Sequence, residues 1–356
     1  MGLEAAGDTE RDQRAGYACL LVRGNRLALV ASPHSAKASK VYAKAVKPVI
    51  PSRRPSHLPK ASVVSPLGYI ALWAGLYVVG SLVFLAQISG LDDHIHAATK
   101  FTAVAFTFCT ATGVYLLDRV KLRDAWLDPA DAHAHPKRFN FVSSHARPLR
   151  IAMLVLLAVA AGLGWMLMRW GVLIPPLAAM GVFVYAGRPR DERPRPKDVM
   201  LLKNFYVALG ITGFAVLISL AAIRPRADLE VLAALARRHV LLLALAAAHL
   251  MVRVFADAVL CDLDDEDADR RFGTETLPIH LGRNKAWNTA LGIRLAAALI
   301  LAAIPVLPLG PRLAWAGVTV VSSLTLRFAA PRRLRDWVDA RFAIEAAVVS
   351  LVLCLA

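Results

Sequence analysis

From residue 66 onward the chain alternates long apolar stretches with short, strongly polar connections. Nine apolar stretches are legible, at roughly 66–88, 98–117, 150–168, 171–187, 201–223, 238–260, 287–308, 312–328 and 341–356. Most approach the ~20 residues that a helix needs to cross about 30 Å of hydrocarbon. The pattern therefore predicts an all-α integral membrane protein with about nine transmembrane helices. The fourth, seventh, eighth and ninth stretches are short or broken by proline, which leaves their ends open. Pro175-Pro176 near the start of the fourth, and Pro305 with Pro308 late in the seventh, predict kinks or helix caps, because proline lacks an amide donor and crowds the preceding turn. Residues 1–65 lack this pattern. They carry eleven Lys and Arg residues, and Pro48, Pro51, Pro55 and Pro59 stand near their end. Their one apolar run, Leu27 to Ala31, is too brief for a signal-peptide core. Two parts are predicted: a basic, mostly disordered N-terminal tail over 1–65 close to the membrane surface, and a polytopic membrane domain over 66–356.

Composition agrees with that division. Of the 356 residues, 57% are hydrophobic, against about 45–50% in a soluble domain. Such content excludes a disordered chain. It also argues against an ordinary soluble enzyme, which could not keep so much apolar surface from water. Lys and Arg number 42 against 26 Asp and Glu, a formal charge of +16. The charges fall between apolar runs and form no compact stripe, so no nucleic-acid partner is expected. They set an orientation instead. With the N-terminus inside, the four even-numbered loops hold 23 of the basic residues and the tail eleven, while the odd loops hold seven. The positive-inside rule then places the N-terminus and the even loops in the cytoplasm, against an anionic leaflet. Nine spans leave the C-terminus outside; in a bacterium the membrane would be the inner one. Four cysteines make no disulfide framework in a chain this long, and no Cys-x-x-Cys occurs.

Acidic residues gather in two places. The sharper is Asp262-Leu263-Asp264-Asp265-Glu266-Asp267-Ala268-Asp269-Arg270-Arg271-Phe272-Gly273, followed by Thr274-Glu275-Thr276-Leu277-Pro278. If the sixth helix continues through it, Asp265 lies about 60° and Asp269 about 20° from Asp262 around the axis. These three share one face, while Asp264 and Asp267 point away and read as solvated. Three carboxylates on one face repel each other. A divalent cation removes the conflict, and Mg2+ is typically held by one or two carboxylates with phosphate oxygens and water. The run reads either as an Asp-x-x-Asp-x-x-x-Asp site for Mg2+ and a diphosphate, or as a solvated acidic helix end. Gly273 and the Thr-Glu-Thr-Leu-Pro string favour the first reading.

The second group, Asp118-Arg119-Val120-Lys121-Leu122-Arg123-Asp124, ends the second stretch. Asp118 follows apolar residues directly. A carboxylate at the centre of a membrane helix costs about 2.5–3.5 kcal/mol on insertion scales, so it calls for an ion or a partner. Lys121, one turn on, offers a salt bridge. Asp124, Asp128 and Asp131 read as solvated, and His94, His96, His133 and His135 as exposed loop histidines. Within the sixth stretch, His249, Arg253 and Asp257 form a stripe at a spacing of four, which predicts an internal ion pair against a neighbouring helix. Glu345 reads as lying near the cytoplasmic interface.

Asp262-x-x-Asp265-x-x-x-Asp269-x-x-x-Gly273, with Thr276-Leu277-Pro278 and Leu281-Gly282 behind it, resembles the second aspartate motif of the UbiA-type intramembrane prenyltransferases. Nine spans with acidic motifs in the second-to-third and sixth-to-seventh loops match as well, over about 66–356. The resemblance implies a ring of nine helices around a central cavity. It implies transfer of a prenyl group from a polyprenyl diphosphate to an acceptor, aromatic or another lipid precursor, with Mg2+. It further implies that Asp118, Asp262, Asp265 and Asp269 are the catalytic and metal-holding carboxylates. Tyr185, Lys197 or Lys203, and Asn204 would neighbour the diphosphate, with Arg119, Lys121 and Arg138 completing the cationic set. The first motif departs from the family form Asn-Asp-x-x-Asp-x-x-x-Asp. Alignment on Asp118 puts Val114 at the Asn, Tyr115 at the first Asp and Leu122 at the last. Asp124 could substitute only after a loop rearrangement, because it lies about 240° from Asp118 on an ideal helix. An unusual substrate, a single-metal site or lost catalysis are all open. The alternative function is a catalytically silent membrane protein that binds polyprenyl lipids or partners. A phosphatidyl-type transferase is not supported, because its Asp-Gly and Ala-Arg signature is missing.

Overall fold

The computed structural model describes residues 19–23, 26–30, 64–186, 196–223, 229–328 and 334–355. They belong to two units, divided after Ala61. In the first unit, β1 (Cys19–Arg23) and β2 (Arg26–Val30) pair antiparallel, with Cys19 opposite Val30 and Arg23 opposite Arg26. Both strands are rich in Leu and Val, and Gly24-Asn25 between them is a two-residue hairpin sequence. The rest of the tail lies outside the described residues.

The second unit is helical among the described residues. The first apolar stretch gives α1 (Val64–Tyr69) and α2 (Leu72–Ile88), separated at Ala71, whose φ of 62° is left-handed. Then come α3 (Ala97–Val120), α4 (Pro129–Ala134), α5 (Pro136–Ser144), α6 (Ala146–Leu167), α7 (Ile174–Ala186) and α8 (Leu202–Ile223). The long α9 (Leu229–Phe272) is followed by α10 (Leu277–Leu281), α11 (Arg283–Ala303), α12 (Leu309–Thr325) and α13 (Leu334–Leu355). Among the described residues, each of the nine apolar stretches carries one long helix: α2, α3, α6 to α9 and α11 to α13. Six helical segments are long and apolar enough to cross a membrane by length and composition, and α2 is a shorter apolar helix. The prolines act as boundaries. Pro175 and Pro176 fall in the first turn of α7, α11 ends before Pro305, and Pro308 is the N-cap of α12.

The helices close on themselves. α2 packs on α3, α3 on α6, α7 and α8, and α8 on α9; α9 packs on α11, α11 on α12, α12 on α13, and α13 returns to α2. Gly80 permits that last approach, because a Cβ there would stand 2.9 Å from the Phe342 carbonyl oxygen. Phe84, Phe106, Ile218, Leu250, Trp315 and Phe342 fill the interior, while Leu154, Met166, Leu177, Leu209, Leu299 and Leu351 are exposed on the outside. So much outward apolar surface is stable only under lipid. The chain is an integral membrane protein.

A buried charged cluster ties these helices together. Asp257 of α9 accepts from Tyr77 of α2 at 2.8 Å and pairs with Arg341 of α13 at 2.8 Å and with Arg294 of α11. Arg253, one turn back on α9, pairs with Glu345 of α13 and donates to Thr319 of α12 at 2.9 Å. The predicted internal ion pair is present. Glu345 is a correction: it is 1% exposed at the middle of α13, not near an interface. Its charge is met by arginines from other helices, which a reading of one helix at a time does not reveal.

α9 is 44 residues long, about 66 Å at 1.5 Å per residue, against ~30 Å of hydrocarbon. The helix therefore runs through the acidic segment as the spacing required. It stops at Gly273, with φ at 68°, and the Thr274 amide donates to the Asp269 carbonyl at 2.9 Å. That six-to-one bond over a left-handed glycine is a Schellman end.

Candidate functional site

The acidic end of α9 forms one wall of a polar cavity of about 100 Å³. Asp265 and Asp269 come from α9, and Thr274 from the turn that Gly273 makes. Asp118 comes from the last turn of α3, Asp128 and Asp131 from the start of α4, and Tyr185 from the end of α7. Lys197 comes from the turn Pro196–Asp198, and Lys203 and Arg335 from the first turns of α8 and α13. Residues far apart in sequence thus meet where several helix ends converge.

Asp262, Asp265 and Asp269 share one face, yet each meets different company. Asp262 is 1% exposed; it pairs with Lys203 Nζ at 2.6 Å and accepts from Asn204 Nδ2 at 3.0 Å. Asp265 accepts from Arg335 at 2.6 Å and lies 2.8 Å from His135 Nε2. Asp269 stands 3.7 Å from Lys203 Nζ, and its Oδ2 is buried with no hydrogen-bond partner among the described residues. Asp118 is engaged by Lys121 at 2.5 Å, the salt bridge its spacing offered. Tyr185 is stacked on Tyr206 with ring centroids 5.0 Å apart, and the Tyr206 hydroxyl donates to the Gly181 carbonyl at 2.8 Å.

The cationic candidates divide. Lys197 and Lys203 both line the cavity, so the two are not alternatives here. Asn204 holds Asp262 and does not itself line the cavity. Arg138 stands 3.8 Å from Asp131. Arg119 bonds the Gly68 carbonyl and is not part of the lining; it follows Asp118 by one residue and so points about 100° away around α3.

Three contributors escaped sequence reading. Asp128 is 3% exposed, not solvated: it pairs with Lys197 at 2.8 Å and accepts the Ala130 amide at 3.0 Å as the N-cap of α4. The dipeptide Asp128-Pro129 was the legible sign of a capped helix start. His135 is drawn in by Asp265, so the reading of it as an exposed loop histidine fails, whereas His94, His96 and His133 are exposed. Arg335 reaches Asp265 with its side chain, and its backbone amide donates to Asp264 at 2.9 Å. Asp264 is therefore engaged, contrary to expectation, while Asp267 is exposed as expected. Asp124 pairs with Arg150 outside the lining and supplies no substitute for the missing first-motif carboxylates.

All the acidic donors are hard oxygens, the kind Mg2+ takes. Among the described residues no three His, Cys, Asp or Glu side chains form a preformed metal cage. What fits is the open kind of site, in which one or two carboxylates share the ion with phosphate oxygens and water. The unpartnered Asp269 Oδ2 is the oxygen best placed for it.

No family model and no curated protein matches the sequence. Solved structures do match the fold. A UbiA homolog from Archaeoglobus fulgidus bound to GPP and Mg2+ is similar over 82% of this chain and 98% of its own, at 12% identity and a TM-score of 0.51. The same homolog bound to DMAPP and Mg2+ gives the same coverage of 82% and 98%, 12% identity and a TM-score of 0.51. A digeranylgeranylglyceryl phosphate synthase structure matches over 81% and 96%, at 13% identity and a TM-score of 0.45. The architecture is the UbiA fold, an all-α membrane ring whose polar site lies at converging helix ends.

Proposed function

We propose that the chain is an integral-membrane prenyltransferase. It moves a prenyl group from a polyprenyl diphosphate to an aromatic or other lipid-precursor acceptor, with Mg2+. The observation that carries this reading is the cavity at the end of α9. There, Asp265 and Asp269, whose Oδ2 makes no hydrogen bond among the described residues, face Lys197 and Lys203 at one end of the helix ring. The shared fold supports it, since the Archaeoglobus homolog binds the prenyl diphosphates GPP and DMAPP with Mg2+.

Asp269 and its neighbours would hold magnesium, which would supply Lewis-acid neutralisation of the leaving diphosphate. Lys203 and Lys197 orient the diphosphate and stabilise the charge that grows on its bridging oxygen as the allylic C–O bond breaks. The electron pair leaves with the diphosphate. The acceptor then forms the new bond to the allylic carbon and releases a proton. The buried Phe84 and Phe106 belong to an apolar part of the interior that suits a prenyl tail and keeps water from the cation. The cavity lies on the cytoplasmic side, because the helix ends that form it flank the loops richest in Lys and Arg; the N-terminus is cytoplasmic and the C-terminus outside. Protease added to inverted vesicles should then trim the tail, and sealed right-side-out cells should protect it.

The direct test is diphosphate release from membranes carrying the protein, supplied with prenyl diphosphates and a panel of acceptors. Release should require Mg2+, stop with a chelator, and fall by about 10²–10³ in Asp265→Ala, the scale for loss of one transition-state contact. Failure to bind both prenyl diphosphate and Mg2+ would overturn the reading and leave a silent lipid-binding protein.

A further inference from the structure

The two walls of the cavity are not equivalent. On the wall built by α3 and α4, every lining carboxylate has a cation beside it. Asp118 holds Lys121 at 2.5 Å, Asp128 holds Lys197 at 2.8 Å, and Asp131 faces Arg138 at 3.8 Å. α3 offers no further acid at its end: one turn before and after Asp118 stand Tyr115 and Leu122. A metal ion on Asp118 or Asp128 would have to displace a lysine, and Asp128 is itself buried. Asp131, half-exposed, is the one lining carboxylate left on this wall among the described residues. On the α9 wall Asp265 is likewise held, by Arg335 at 2.6 Å and His135 at 2.8 Å, but Asp269 has no close partner. Lys203 is committed to Asp262 at 2.6 Å and stands 3.7 Å from the Asp269 Oδ2, which is buried and has no hydrogen-bond donor among the described residues. An oxygen in that state costs free energy until a cation or a proton reaches it.

Lys197 has a fixed seat. Asp128 is held by its own bond to the Ala130 amide, and it anchors the Lys197 ammonium at the cavity lining. An anchored ammonium is a point charge that grips a phosphate without a metal. Building on the prenyl-diphosphate reading, we propose that the cavity takes one divalent cation, on the α9 wall through Asp269. The Lys197 ammonium, seated by Asp128, is the counter-cation that grips the diphosphate from the opposite wall. Lys197 is then a substrate-binding residue and Asp128 a positioning residue, although Asp128 reads as a solvated loop residue in the sequence.

Mn2+ counted by electron paramagnetic resonance on the purified full chain with saturating GPP tests this without turnover. One ion per chain is expected, and none in Asp269→Asn. Lys197→Gln should weaken GPP binding about ten- to a hundredfold, the range for losing a hydrogen bond to a charged group, with the Mn2+ count still at one. Lys197→Arg should restore most of the affinity, which separates a lost charge from a lost fold, and Asp128→Asn should weaken binding in the same direction as Lys197→Gln. Two Mn2+ ions per chain, or unchanged GPP affinity in Lys197→Gln, would overturn the proposal and leave the prenyltransferase reading standing. If the parent protein binds neither GPP nor Mn2+, that reading falls and takes the proposal with it.

Discussion

Asp262 and Asp269 lie on the same face of α9, yet their surroundings give them opposite work. Asp262 is saturated by Lys203 and Asn204 and acts as an anchor between α8 and α9. Asp269 keeps a buried oxygen that has no hydrogen bond among the described residues, 3.7 Å from Lys203, and is the carboxylate proposed to hold the cation. Substitution should separate the two roles. Lys203→Met strands a buried carboxylate, so stability should drop by about 3–5 kcal/mol. Asp269→Asn removes a buried carboxylate whose one charged contact, to Lys203, is 3.7 Å long and whose Oδ2 makes no hydrogen bond among the described residues, so stability should change by no more than about 1 kcal/mol while Mg2+-dependent diphosphate release disappears. Denaturant titration in detergent, run beside the release assay, reads both; equal destabilisation by the two variants would refute the division. The shared face of the three aspartates was legible because helical spacing is local. Their partners were not. His135 and Arg335 reach Asp265 across 130 and 70 residues of sequence, and no periodicity carries that information.

At the level of elements, the membrane helices were the legible part. Hydrocarbon demands continuous apolar runs with every backbone group bonded inside the helix, and such runs show in any hydropathy reading. The short α4 and α5 were not foreseen, because a polar loop helix needs only a cap and a place to pack. Asp128 supplies the cap of α4, and charge alone had marked it as solvated. The end of α9 shows how much one terminus can decide. Gly273 turns the chain so that Thr274 enters the lining and the Glu275 amide donates to the Asp198 carbonyl at 3.2 Å, beside Lys197. A Cβ at Gly273 would meet nothing within 4 Å, so the strain in Gly273→Ala is conformational alone. It should cost about 1 kcal/mol, and because the turn orders the Lys197 segment, it should also raise KM for the prenyl diphosphate. A loss of stability with KM unchanged would show that the turn does not position that segment.

Over the whole molecule, the ring is closed by α13 and locked by charge. Arg253 and Asp257 on α9, Arg294 on α11, and Arg341 and Glu345 on α13 are buried in one cluster. This has a consequence for how the protein is made. α9 and α11 are translated first; Asp257, one turn from Arg253, is taken by Arg294 of α11, and Glu345, the carboxylate that pairs with Arg253, arrives only with α13. An unpaired arginine at the centre of a membrane helix costs about 2.5–3.5 kcal/mol on insertion scales. α9 therefore gains a full incentive to leave the insertion machinery only when Glu345 has been synthesised. A nascent chain halted at residue 330 should still crosslink to the translocon through α9, and one extended through α13 should not. Release of the halted chain into lipid would show that the cluster forms after insertion and does not time it. On that scheme an arginine made early settles in the bilayer only once a helix made much later supplies its carboxylate.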